Sequence, residues 1–468
     1  MGTSECISKL ARNLRSKDRF FSFAGTKDKR GRTLQRVAVS LIKPEALQDA
    51  AERLNKERGG GVAVGHFTYH PQGLRLGDLQ GNRFRMVVRN IENTATELSI
   101  RSSMEYFTDH GFINYYGMQR FGTSEISTHK IGLAILKNDF QGAIDLILAP
   151  RPSQYHDLRF VLTSYAKEKN AKEAFNSLSY RLKGSVEGKL LSGLAHAHQN
   201  DKVNALKGIP VGIRQMYGHA YQSYIWNRLV SKRLSTIGES VLEGDLVLDL
   251  ENPKDHENRI NLKYVIDPSL HKIDEVYIPL PGHTIKLPKN DTAQWMMEIL
   301  KEDGLVLENF KNSTREYDLP GEYRKIITKA SDLSWNLVKY NQQEEDLVYS
   351  DLEQATSDNK SPRKLGDETG KFTALVLNMS LPSSSYATMA LREIMRVKTD
   401  LKSMKSTEPE EEDSMIPAED EDEEEGRKSS NSVAGVHSDR PGGGVQRGRN
   451  DNGNGGQEPC SKRPRNRY

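Results

Sequence analysis

Cysteine is almost absent from this 468-residue chain: Cys6 and Cys460 are its only two, one near each end. Such a pair builds neither a disulfide framework nor a cysteine-ligated zinc site, and it fits a reducing compartment. Long apolar runs are missing as well, none approaching the roughly 18–20 residues of a membrane-spanning helix. The opening residues, Met-Gly-Thr-Ser-Glu-Cys, lack the apolar core of a secretory signal. Histidines are scattered, and His196 and His198 stand two apart, which puts them on different faces of a helix. There is no G-x-x-x-x-G-K-[ST] phosphate loop, and Gly59-Gly-Gly61 reads as a connector rather than a dinucleotide fingerprint. These absences set aside disulfide scaffolds, helical membrane proteins, metal hydrolases and P-loop enzymes. The expectation is a soluble intracellular protein with no cofactor, no metal and no membrane partner.

Net charge is a modest +3, but it is unevenly spread. Glu408 to Glu425 holds twelve acidic residues and no Lys or Arg, and residues 405–468 carry ten basic against fifteen acidic side chains. The remaining body has 57 basic and 49 acidic residues, and its first 43 residues are the most basic part. The body therefore has the charge of a polyanion binder, and the tail does not. Residues 404–468 are acidic, then rich in Gly, Arg and Asn, and too poor in apolar side chains to fold. Lys462-Arg-Pro-Arg465 is a candidate nuclear-localisation run, so the expected location is nuclear, cytoplasmic or both.

Periodicity predicts an amphipathic helix over 3–16, an aromatic strand from Phe21, and an alternating strand over 35–43. A helix over 45–56 follows, then a strand over 83–90 with Phe84, Met86 and Val88 on one face, a helix near 93–109, and a strand over 112–116. Residues 140–320 are more helical, with one long helix over 214–234; strand signals return at 246–250, 275–279 and 372–379, and a helix is expected over 386–397. Strands and helices joined by short connections indicate an α+β fold.

Four segments carry candidate chemistry. In Phe21-Ser-Phe-Ala-Gly-Thr-Lys-Asp-Lys-Arg-Gly-Arg-Thr33, a strand delivers Asp28 into a turn crowded with Lys27, Lys29, Arg30 and Arg32. Neighbouring cations hold a carboxylate ionised, and they are where a phosphate backbone docks. A nucleophile or base acting on nucleic acid fits this setting; an ion-paired surface aspartate has the same neighbours. In Asn114-Tyr-Tyr-Gly-Met-Gln-Arg-Phe-Gly122, a strand places Asn114 and Tyr116 on one face, an amide to orient a carboxylate beside a ring to stack a base. A tyrosine pair in the core reads equally well. In Leu381-Pro-Ser-Ser-Ser-Tyr-Ala-Thr388, Ser383–Ser385 can cap the following helix, and Tyr386 either packs or faces a ligand. The aromatics of His219-Ala-Tyr-Gln-Ser-Tyr-Ile-Trp-Asn227 have helical spacing and read as core.

Together and in this order, the four segments resemble the TruD family of pseudouridine synthases, in its eukaryotic branch. Leu74-Arg-Leu-Gly-Asp-Leu-Gln-Gly-Asn-Arg-Phe84, Gly244-Asp-Leu-Val247, Ile278-Pro-Leu-Pro-Gly282 and Gly321-Glu-Tyr-Arg-Lys-Ile-Ile327 support the match, which covers roughly residues 5–400. The resemblance implies cofactor-free isomerisation of uridine to pseudouridine in RNA. Asp28 matches the catalytic aspartate, Asn114 the asparagine that contacts it and the substrate, Tyr116 the ring that stacks on the base, and Tyr386 a substrate-contacting aromatic. Lys27, Arg30 and Arg120 are expected at phosphates, with Lys27 alternatively setting the charge state of Asp28. The implied fold is a mixed or antiparallel sheet flanked by helices, with a catalytic domain in two parts, 1–139 and 321–403. An inserted, family-specific α/β domain over 140–320 divides it, and a disordered tail follows over 404–468. Implied partners are transfer RNA, at a position-13-type uridine, with messenger and small nuclear RNA sites in the eukaryotic branch; a monomer is expected.

Family members also carry edge strands and part of the uridine pocket upstream of the catalytic turn, whereas only 27 residues precede Asp28 here. The expectation is an N-terminally truncated catalytic domain with an exposed sheet edge. The alternative function is that of an inactive RNA-binding fragment.

Overall fold

The computed structural model describes residues 1–396 other than 28–30, 59–60, 76, 93–94, 123, 198–200, 255–259 and 357–364. In chain order its strands are β1 (Phe21–Phe23), β2 (Val37–Val39), β3 (Gly81–Val88), β4 (Phe112–Ile113), β5 (Leu246–Leu248), β6 (Leu262–Tyr264), β7 (Val276–Leu280), β8 (Glu322–Lys325), β9 (Ile327–Thr328), β10 (Ser331–Tyr340) and β11 (Phe372–Pro382). They form four antiparallel sheets, ordered β1-β2, β10-β11-β3, β4-β9 and β6-β5-β7-β8. This is the expected α+β fold.

β11 lies between β10 and β3; one of its faces is apolar along nearly its whole length, and the other is apolar at Ala374 and Val376. Leu375, Leu377, Met379 and Leu381, two residues apart, point to one side and pack on Met104, Phe107, Met389 and Ile394 of the helices Glu97–His110 and Ala387–Met395. Ala374 joins Tyr340 and Leu347 in a separate cluster. Phe84, Met86 and Val88 of β3 face the first of these cores, as their alternation predicts. Among the described residues β3 pairs only with β11 and so forms an edge.

At the N-terminus the helix Thr3–Asn13 buries Ile7, Leu10 and Ala11, the i, i+3, i+4 positions of one stripe, against Leu47, Ala50, Ala51 and Leu54 of the helix Pro44–Arg58. The strand expected over 35–43 is realised only at Val37–Val39.

The helix Val211–Ile237 is the axis of the middle of the chain. Tyr221 and Trp226 are buried on it, which bears out their reading as core, while Tyr224 is half-buried; Tyr217, Ile225, Leu229 and Val230 are buried beside them. Trp226 Nε1 donates to Ile278 O at 3.1 Å and Gln222 Nε2 to Pro281 O at 2.8 Å, fastening the helix to β7. Farther along, Arg233 and Asp245 form a fully buried bidentate pair at 3.0 and 2.7 Å.

Two connections bring these parts to the site. The helix Glu97–His110 ends at Gly111, whose φ of +75° and whose closeness to Thr328 O, 2.3 Å from where a Cβ would lie, admit only glycine. The chain then enters β4. Opposite it, β8 pairs with β7, Ile326 N donates to Val276 O at 3.0 Å, and β9 crosses to pair with β4. One short segment, 322–328, therefore belongs to two sheets, and it carries Arg324 to Asn114.

Candidate active site

β4 ends at Ile113, so Asn114 and Tyr116 are not on a strand as expected; Asn114 N still donates to Ile326 O at 2.8 Å, and the chain then turns, Tyr115 N donating back to Ile113 O at 2.8 Å. Beyond the turn a helix side chain takes a strand partner's place. Asn227 Oδ1 accepts from Tyr116 N at 2.9 Å, and Asn227 Nδ2 donates to Tyr116 O at 3.0 Å. One turn earlier Ser223 Oγ accepts from Arg120 Nε at 3.2 Å, and one turn later Ser231 Oγ meets Tyr115 Oη at 2.8 Å. Residues 223, 227 and 231 are four apart, so a single polar stripe of the helix holds residues 115–120.

Asn114 is buried, at 6% exposure, and so is Arg324 of β8, at 5%. Arg324 Nε donates to Asn114 O at 2.7 Å, Nη2 to Asn114 Oδ1 at 2.7 Å, and Nη1 to Ser384 O at 2.6 Å. Asn114 Nδ2 in turn lies 3.4 Å from Lys325 O. The guanidinium stands 4.1 Å from the centre of the Tyr116 ring, 5.4 Å from Trp226 and 6.0 Å from Tyr386. Tyr116 meets Trp226 and Tyr386 edge-on, with centroids 5.8 and 6.1 Å apart, and Arg120 lies 5.6 Å from its ring. Burial pushes the Tyr116 phenol above its ordinary pKa, against the pull of Arg324 and Arg120, so the ring is neutral at pH 7. Burial lowers the Arg324 pKa, yet a guanidinium stays charged in a protein.

Tyr386 follows the end of β11 and precedes the helix Ala387–Met395, but the serines before it do not cap that helix. Ser383 Oγ donates instead to Leu79 O, and Ser384 adopts φ +65°, which aims its carbonyl at Arg324. A non-glycine residue in that region costs roughly 1–3 kcal/mol, offset here by a charge-assisted hydrogen bond. Gly117 admits the Tyr386 ring: a Cβ there would meet Tyr386 Cδ1 at 2.7 Å.

Of the residues proposed from the sequence, Asn114, Tyr116, Tyr386 and Arg120 thus share one pocket built around Arg324. Lys27 is tied elsewhere, its backbone N–H to Thr3 Oγ1 at 3.0 Å and its Nζ to Asn82 at the start of β3. Asp28, Lys29 and Arg30 lie outside the described residues. Arg32, expected at phosphate, pairs with Asp346 at 2.9 Å and Glu353 at 3.4 Å. Sequence reading missed Arg324 and Asn227. Their available signals were an arginine inside the run Tyr323–Ile327 and small polar residues four apart, Ser223, Asn227 and Ser231, on the long helix.

Residues 1–394 match the family described as tRNA pseudouridine synthase D (TruD). The chain is 35% identical to the multisubstrate pseudouridine synthase 7 of Schizosaccharomyces pombe, over 84% of its own length and 60% of the relative's. It is 38% identical to the human pseudouridylate synthase 7 homolog, over 86% of its own length and 58% of that protein's. It thus spans about three fifths of the length of these curated relatives. A crystal structure from Methanosarcina mazei, assigned as a tRNA pseudouridine synthase D, superposes with a TM-score of 0.59 at 26% identity, covering 85% of this chain and 86% of that one. The chain belongs to the TruD family of pseudouridine synthases.

Proposed function

We propose that this protein isomerises uridine to pseudouridine in RNA, with Asp28 as the reactive carboxylate and Asn114, Tyr116 and Tyr386 forming the uridine pocket. The observation that carries the reading is the convergence of those last three side chains on one buried guanidinium, in a chain that matches the family over residues 1–394. In the reaction the N1–C1′ bond breaks, the uracil turns, a C5–C1′ bond forms, N1 gains a proton and C5 loses one. Atoms balance without an added reactant. Asp28 adds to the base, attacks C1′ or removes a proton at C2′; each route needs it ionised. Tyr116 stacks the detached uracil so that it does not diffuse away. Extruding the uridine costs roughly a few kcal/mol, which phosphate contacts from Lys27, Arg30 and Arg120 help to offset.

The substrate in this reading is transfer RNA at a position-13-type uridine, with messenger and small nuclear RNA as further substrates; the name of the fission-yeast relative, a multisubstrate pseudouridine synthase, supports that breadth. Residues 140–320 act as an inserted domain between catalytic parts 1–139 and 321–403. That division is supported by a core joining residues 104–112 to 375–394. The test is tritium release from transfer RNA containing 5-tritiated uridine, with the parent and Asp28→Asn. Release by the parent alone is expected. Equal release by both overturns the role of Asp28, and RNA binding without release by either favours the inactive RNA-binding fragment.

A further inference from the structure

Arg324 has no part in the reaction as set out above, yet it is the most constrained side chain of the pocket. A guanidinium at 5% exposure carries a desolvation cost, and among the described residues its acceptors are the uncharged Asn114 O, Asn114 Oδ1 and Ser384 O. What such a group supplies, and a neutral one does not, is direction. Arginine can only donate, so the Asn114 atom 2.7 Å from Nη2 has to be the carboxamide oxygen. The opposite atom is then Nδ2, and the Lys325 carbonyl 3.4 Å away, which can only accept, selects the same orientation. Nδ2 has a second hydrogen to give. An ionised carboxylate needs a donor beside it, and a flipped amide would turn an oxygen towards it instead.

We propose that Arg324 is the positioning residue of this pocket: it fixes the Asn114 carboxamide so that Nδ2 is offered as a donor to the reactive carboxylate, and its flat guanidinium sets the plane of the Tyr116 ring. The proposal rests on the synthase reading, in which Asn114 matches the asparagine that contacts the catalytic aspartate. The guanidinium spans three segments at once: residues 114–116, the turn at Ser384 and β8 itself. Lysine keeps the charge but has neither the flat face nor the fork of donors.

The experiment compares the parent with Arg324→Lys and Arg324→Gln in three measurements. These are tritium release at limiting and saturating RNA, the melting temperature, and the side-chain amide spectrum of protein labelled with 15N-asparagine. The Asn114 signal is assigned by its loss in Asn114→Asp. A single, slowly exchanging Asn114 pair is expected in the parent. In both variants that pair doubles or exchanges rapidly, while kcat falls about 10²-fold and KM changes by less than about threefold. Parent-like kcat and an unchanged Asn114 pair in Arg324→Lys overturn the proposal. So does a fall in kcat that follows the melting temperature while the pair stays locked. A parent that releases no tritium, but whose locked pair is freed by Arg324→Lys, refutes the synthase reading and supports the positioning.

Discussion

Replacing Asn227 by leucine keeps the volume of the side chain on the long helix and removes both of its hydrogen bonds to Tyr116, at 2.9 and 3.0 Å. The Tyr116 N–H and C=O are then left without partners. Each orphaned group costs about 1–3 kcal/mol when buried, and since Tyr116 is only half-buried the lower part of that range applies to both. The expected loss is about 2–4 kcal/mol, a drop of several degrees in melting temperature. Against a usual stability of about 5–15 kcal/mol at least about 1 kcal/mol remains, so most molecules stay folded at 25 °C and a fall in turnover well beyond twofold reports geometry and not unfolding. Tritium release should fall by about 10²-fold, because the ring that holds the uracil loses its backbone anchor. Asn227→Asp retains the acceptor for Tyr116 N–H and should fall between the parent and Asn227→Leu in melting temperature. Unchanged melting and unchanged turnover in Asn227→Leu would refute the claim that the helix positions Tyr116.

In Gly117→Ala the new methyl meets Tyr386 Cδ1 at 2.7 Å, so Tyr386 has to move; a cost of about 1–3 kcal/mol and a roughly tenfold lower kcat/KM are expected, and parent-like kinetics would contradict the contact. Asp245→Asn strips the charge from a pair with 0% and 1% side-chain exposure, and the urea midpoint should reflect a loss of about 3–5 kcal/mol. His129 stacks on Tyr224 at 4.2 Å, and burial lowers its pKa from 6.5. The unfolded chain therefore takes up that proton first, and the folded protein loses stability as the pH falls below 6.5 towards the lowered value. His129→Phe keeps the stacking and should flatten the dependence of melting temperature on pH below 6.5; an unchanged slope would show that His129 is not responsible.

The elements most legible in the sequence are those whose pattern is local. The helix over Thr3–Asn13, β3, β11 and the long helix all follow from apolar spacing that their own residues carry. Asn114, Tyr116 and Tyr386 could be picked out for the same reason, as chemically apt residues beside glycines and at a strand end. The misreadings have non-local causes. The strand expected over 112–116 stops at Ile113, where the chain turns, and Tyr116 is held instead by Asn227, 111 residues away in sequence. The serines before Tyr386 look like helix caps, but the chain that returns at Leu79 competes for Ser383, and Arg324 draws the Ser384 carbonyl. Arg324 itself sits in a run suited to a buried strand, and nothing within that run foretells a partner more than two hundred residues earlier.

The segment from Glu322 to Thr328 leaves no slack in chain length. It pairs first with β7 and then, beyond a bend at Ile326, with β4, and Ile326, Ile327 and Thr328 are buried in succession. One residue added or removed between Arg324 and Ile327 would turn every later side chain to the opposite face. It would also break either the Arg324–Asn114 contacts or the bond from Asn114 N to Ile326 O at 2.8 Å. Variation in the size of this protein is thus expected at its loops, while the spacing of this crossing strand stays constant, as a splice that joins two sheets in only one register.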